Sequence, residues 1–166
     1  EVVCSVTPTD GTDVGTADIA TATVNTPSDG SLTGIRPDNG FVGDPITSAA
    51  DAFCDASFSD PDVDEDAVTV SYAWSVNGIT QGGDSATLAS SNFAAGETLV
   101  CTAIFDDGHE SVLDTASIVV SNAPPTVASS DIIPDPPTQS GSITCDYTLD
   151  DADGDTTSAS IDWTVN

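Results

Sequence analysis

Apolar and polar residues alternate along four short stretches, at about 52–58, 68–76, 98–105 and 112–121. A period of two places one set of side chains on a single face of a pleated strand, so each stretch predicts a half-buried β-strand. Asn77-Gly78 follows the second stretch and is the strongest short hairpin signal, because both turn positions require positive φ. Asp107-Gly108 divides the third stretch from the fourth and predicts another hairpin. Helical periodicity is weak throughout, and Ala49-Ala50-Asp51-Ala52 is too short to carry a helix. Gly, Pro, Ser, Thr, Asp and Asn recur between the apolar runs, the texture of an all-β chain with many turns.

The pattern also repeats. Phe53-Cys54-Asp55 through Tyr72-Ala73-Trp74-Ser75-Val76-Asn77 returns as Thr144-Cys145-Asp146 through Ile161-Asp162-Trp163-Thr164-Val165-Asn166, with Asp60, Asp62 and Asp64 matching Asp151, Asp153 and Asp155. A second correspondence sets Val2-Val3-Cys4-Ser5 against Leu99-Val100-Cys101-Thr102, Asp10-Gly11 against Asp107-Gly108, and Asp13 against Glu110. The run Ala20–Asn25 then matches Ala116–Asn122, and both lead into proline-containing linkers at Pro27 and Pro124-Pro125. Internal repetition of this kind predicts an array of like units. Residues 1–27 read as the end of one module, 28–123 as a complete module, and 124–166 as the beginning of a third. Such a division makes the sequence a window on a longer array.

Within the complete module a cysteine is followed 20 residues later by Trp74 and then by Cys101, the order of an immunoglobulin-like β-sandwich with cysteines on strands B and F and the tryptophan on C. A Cys54–Cys101 bridge would join the two sheets and pack on Trp74; both Trp74 and Trp163 are expected in cores. The four cysteines form no CxxC pair and have no histidine at zinc spacing, which points to disulfides and an oxidising compartment. Cys4 and Cys145 have no partner within their own partial modules. Each pairs either with a cysteine outside this sequence or with the other, the latter by joining identical subunits head to tail.

Taken together, Cys, Asp-x-Asp-x-Asp, Tyr-Ala-Trp-Ser-Val-Asn-Gly, Leu-Val-Cys-Thr, Asp-Asp-Gly and Asn-Ala-Pro-Pro resemble the tandem Ig-like or PKD-like repeats of large bacterial surface and secreted proteins. The resemblance implies an extracellular or cell-surface location and a role as stalk, adhesin arm or filament module. Val63 departs from it, standing where the last copy has Gly154.

Composition narrows the partners. The 166 residues carry 28 acidic side chains against one arginine, Arg36, and no lysine, for a formal charge of −27. Nucleic acid and anionic membrane surfaces are excluded as direct partners, because both are bound through Lys and Arg. Hydrophobic residues make up 38% and aromatic ones only 5%, so the core must be built of Val, Ile, Leu and Ala around a few aromatic anchors. No apolar run approaches the roughly 20 residues of a membrane-spanning helix.

Carboxylates at alternating positions bring several oxygens to one point, which suits calcium with its six to eight oxygen ligands. The candidate ligands are Asp60, Asp62 and Asp64, then Asp151, Asp153 and Asp155, with Asp107 and Glu110 brought to the same pole by the F–G loop. Against this stands the ordinary use of Asp in turns. No catalytic residue is assigned. His109, the single histidine, sits in a turn, no GxSxG elbow occurs, and the clustered carboxylates lack sugar-stacking aromatics. The expected function is a structural extracellular repeat, a stalk, fibre or head-to-tail filament stiffened by calcium. The competing expectation is an adhesin or carbohydrate-recognition module that presents loops 78–83 and 92–96 to a surface glycan or protein ligand.

Overall fold

The computed structural model describes residues 1–62 and 68–164. Among the described residues the chain is all-β, with every sheet antiparallel and a single 3-10 turn at Ser90–Asn92. Strands β1 (Val2–Val6) and β2 (Asp18–Ala22) form a hairpin. A three-stranded sheet follows, with β3 (Asp29–Pro37), β4 (Ala52–Ser59) and the two-residue β7 (Thr87–Leu88) in the order β3-β4-β7. The four-stranded sheet runs β6-β5-β8-β9, from Ile79–Gln81, Thr69–Val76, Thr98–Asp106 and Ser111–Val119. A last hairpin joins β10 (Thr126–Ile133) to β11 (Thr144–Asp150).

The four alternating stretches all become strands, with ends within one or two residues of those expected. β8 shows why: Leu99, Cys101, Ala103 and Phe105 are buried while the residues between them are not. Asn77 and Gly78 adopt φ of 50° and 80°, as the tight β5–β6 turn requires. The two larger sheets share one core, in which Ile35, Ala52, Cys54 and Leu88 meet Trp74, Val76, Leu99 and Cys101. Loops contribute Ile46 and Phe93, and the Trp74 indole N–H donates to the Ser85 carbonyl oxygen at 2.9 Å. The Cys54–Cys101 disulfide ties β4 to β8 across this core. These features are compatible with a β-sandwich.

At the open side of the unit, Asp114 on β9 accepts the Leu32 amide of β3 at 2.9 Å. That amide lies beside the irregularity between Leu32 and Gly34, where the β3–β4 register shifts. The carboxylate therefore satisfies a backbone donor where the register breaks and links the edges of the two sheets. Hydrogen bonds from Leu32 and then Thr115 lower its pKa.

The two hairpins have no second sheet over them among the described residues. Trp163, expected in a core like Trp74, is 49% exposed where Trp74 is 3% exposed. Residues 161–164 form no strand, although their counterparts open onto β8 in the four-stranded sheet. A strand in that position needs a neighbour to accept its ladder bonds, and none pairs with residues 161–164 among the described residues.

Candidate functional site

The acidic positions fall at the two ends of the two-sheet unit. At one end β4 runs out into Asp60 and Asp62, beside the turn 107–110 that joins β8 to β9. At the other end, the loop carrying Ile46 and Ser48 and the segment from Ser90 to Glu97 lie against the exit of β9. There the Ser121 amide donates to the Ile46 carbonyl oxygen at 2.7 Å.

Asp107 does not present itself to solvent. It is 1% exposed, and its carboxylate is saturated by donors. Oδ1 accepts the Glu110 and His109 amides at 2.7 and 2.9 Å. Oδ2 accepts the Ser28 amide at 3.2 Å and the Asn25 side-chain amide at 3.4 Å. The Glu110 and His109 amides contribute most, with Asn25 and Ser28 adding less, and together they hold the carboxyl at about 2. Asp10, its counterpart near the start of the chain, is built alike. Its Oδ1 accepts the Asp13 and Thr12 amides at 2.8 and 2.9 Å, and these lower its pKa. Cys4 lies opposite Ala20 and Cys101 opposite Ala116, so the two hairpins also share their register.

The aspartate triplets divide their labour. Asp60 Oδ1 accepts the Asp62 amide at 2.8 Å, and Asp151 Oδ1 accepts the Asp153 amide at 2.9 Å, so the first residue shapes the turn. The second reaches a linker. Asp62 Oδ2 accepts the Thr26 amide at 2.5 Å, with Thr26 Oγ1 3.3 Å from Oδ1. Asp153 Oδ2 accepts the Ala123 amide at 2.5 Å, and its Oδ1 accepts the Ser48 hydroxyl. Ser48 first and Ala123 second lower the Asp153 pKa. Both amide donors precede a proline, Pro27 or Pro124, and the residue before proline is biased toward extended backbone.

Among the described residues, Asp151, Asp153 and Asp155 form a group whose candidate ligand oxygens lie within 4.8 Å of one another. Among the described residues, Asp60 and Asp62 are not joined to Asp107 and Glu110 in such a group. Asp64 lies outside the described residues. The single arginine cannot neutralise either loop: Arg36 is paired with Asp55 at 3.2 Å and stacks 4.2 Å above the centre of the Phe53 ring. Cys4 and Cys145 are free thiols, the first exposed. Comparison with family models, with curated proteins and with solved structures finds no match to this chain.

Asp107 yields a pH prediction. A carboxyl depressed in the folded state contributes stability above its ordinary value of 3.8, and that contribution is lost as the pH falls toward about 2. Thermal unfolding followed from pH 6 to about pH 2 therefore shows a midpoint that falls steeply below pH 4. Asp107→Asn sets a new N–H₂ against the Ser28 and Asn25 donors. It lowers the neutral-pH midpoint by about 5–10 °C and flattens the acid limb. An unchanged acid limb in the variant removes Asp107 from this role.

Proposed function

We propose that this chain is part of an extracellular rod of tandem immunoglobulin-like modules, a stalk or fibre segment of a secreted or cell-surface protein. The strand order β3-β4-β7 against β6-β5-β8-β9, with a disulfide from β4 to β8 and Trp74 on β5, supports the immunoglobulin-like reading. In those terms β1–β2 is the strand F–G hairpin of a preceding module and β10–β11 the A–B hairpin of a following one.

The observation that carries the rod is the repeated grip on the linkers. Residues 25–28 are held by Asp62 and Asp107 at one end of the unit. Ala123 is held by Asp153, with Ser48, at the other. The chain thus enters at one pole and leaves at the opposite one, and at both joints an aspartate from the same position of the acidic loop fixes the linker. A pendant recognition domain has no need of two such joints.

Calcium fits the second joint. Asp151, Asp153 and Asp155 stand close together with no basic side chain in the sequence free to offset them, and a hard cation accepts such oxygens. The bound ion would hold the loop that grips Ala123 and so stiffen the joint. Small-angle scattering on the chain is expected to give an extended particle, and Asp62→Ala with Asp153→Ala a broader distribution of lengths. Calorimetry is expected to show calcium binding at about 0.1–1 mM, the range of extracellular modules, abolished by Asp151→Asn with Asp155→Asn. A wild-type chain as flexible as the double alanine variant sinks the rod, and no heat at millimolar calcium leaves the three aspartates as solvated turn residues.

A further inference from the structure

The two faces of the four-stranded sheet are built for different neighbours. Alternation turns Leu99, Cys101, Ala103 and Phe105 of β8 into the core, so Val100, Thr102 and Ile104 point outward. On the flanking strands the outward positions run from Ser71 to Ser75 on β5 and from Leu113 to Val119 on β9. None of them is charged, in a chain of net charge −27. Register sets them side by side: Thr102 lies between Ala73 and Thr115, and Ile104 between Ser71 and Leu113. Leu113 is 66% exposed and Val119 57%. Asp114, the acid within β9, faces the other way and holds Leu32. The outer side of the three-stranded sheet, by contrast, carries Arg36 and Asp55. The β1–β2 hairpin repeats the uncharged arrangement. Its Val3–Thr21 and Ser5–Ile19 pairs stand where the larger sheet has Val100–Ser117 and Thr102–Thr115, and Asp18 stands at the position of Asp114.

We propose that the uncharged outer face of β5-β8-β9 is a pairing surface, and that its occupant is the same face of a second copy of this chain. Two copies at −27 each repel one another over their acidic surfaces. Across this face no carboxylate is set against another, so contact avoids like-charge apposition and takes Ile104, Leu113 and Val119 out of water. A basic partner, which the net charge would invite, finds no carboxylate here to pair with. A surface matched to itself makes an isologous contact, which closes at two copies. Three strands of eight or nine residues, about 4.8 Å apart and rising about 3.3 Å per residue, give a patch of roughly 400 Å². The pair therefore buries less than the ~1,200 Å² at which stable interfaces begin, and the contact is weak. Its strength rises with salt, because screening removes the repulsion of the surrounding acids. The pairing does not rest on the rod reading, since a compact chain presents the same face.

The test is sedimentation equilibrium of the full chain at up to about 1 mM, where weak pairing is measurable. Cys4 and Cys145 are alkylated and a chelator is present, so that neither disulfides nor bridging cations join copies. The average mass is expected to climb toward that of a dimer at about 1 M salt, where the screening length is about 3 Å. It falls back toward the monomer at about 0.01 M, where that length is about 30 Å. Two variants separate the face from net charge. Thr102→Lys lies on the central strand of the patch and Ser57→Lys on the outer side of the other sheet, and both change the net charge equally. Repulsion between whole molecules makes both associate slightly more strongly. The pairing surface instead makes Thr102→Lys at least tenfold weaker, by burying ammonium groups without partners, and leaves Ser57→Lys unaffected. Thr115→Lys, at an exposed position of the same face, repeats the result if Thr102→Lys does not fold. A mixture of Thr102→Lys with Thr102→Glu pairs where neither does alone, which marks the face as its own partner. A monomer at every salt concentration overturns the proposal, as does equal behaviour of Thr102→Lys and Ser57→Lys, or association that declines as salt rises.

Discussion

Reducing the Cys54–Cys101 bond lowers the unfolding free energy of the two-sheet unit by about 3–4 kcal/mol. The bond closes a separation of 47 residues, and in the chain-entropy account the cost of that loop returns to the unfolded state once the bond is cut. Both cysteines are fully buried in the shared core. The loss is large against the 5–15 kcal/mol typical of a domain, and this core has little in reserve: its aromatic members are Trp74, Phe93 and Phe105. Urea denaturation of the oxidised and reduced chain, read as the change in midpoint at constant slope, measures it. A difference under about 1 kcal/mol means that side-chain packing alone holds the sheets together.

Phe105→Ala is expected to cost about 3–5 kcal/mol, the usual range for a buried aromatic. The ring is fully buried at the inner end of β8 and tilted against Phe58, with centroids 6.1 Å apart. It also lies directly on Gly30 of β3, so close that a Cβ there would overlap the ring carbons. Gly30→Ala therefore attacks the same contact from the other side, forcing the ring or the strand to move at a cost of about 1–3 kcal/mol. The pair makes a decisive cycle. In the Phe105→Ala background the methyl group enters vacated space, so the cost of Gly30→Ala disappears or reverses in sign. If the two losses simply add, the destabilisation by Gly30→Ala has a source other than Phe105.

The strands that alternate cleanly were legible because one face of each packs on the opposing sheet and the other meets solvent. β3 was not, since Gly30, Gly34 and Pro37 break its pattern and only pairing with β4 makes it a strand. β7 has two residues and no pattern of its own. Ile46 is fully buried from a loop, a position set by the closing of the two sheets and invisible to periodicity. The disulfide and its tryptophan were legible from spacing.

The acidic loops were legible as special places but not in their use. Spacing shows that carboxylates gather; it does not show whether a cation or a peptide N–H reaches them first, since both satisfy the same lone pairs. Asp107, placed among the metal ligands by its neighbourhood, is instead buried under four donors. Asp62 and Asp153 hold linkers. A signal for that existed in Thr26-Pro27 and Ala123-Pro124, whose prolines remove the next amide and leave a single donor facing the loop. Trp163 has the pattern of a core residue and is half exposed, with no second sheet over it among the described residues.

The grip of an aspartate on a linker amide has a consequence for how an array of the kind proposed would grow. What is recognised is the main chain, which every residue except proline offers alike, and the two joints here hold threonine in one case and alanine in the other. A duplicated unit therefore carries half of a working joint into any position, provided that its acidic loop keeps the middle aspartate and the linker keeps its amide. At the second joint the linker residue held is alanine, whereas at the first the Asn25 and Thr26 side chains add their own hydrogen bonds to Asp107 and Asp62. Length becomes a matter of copy number, and neighbours need not evolve together to remain joined.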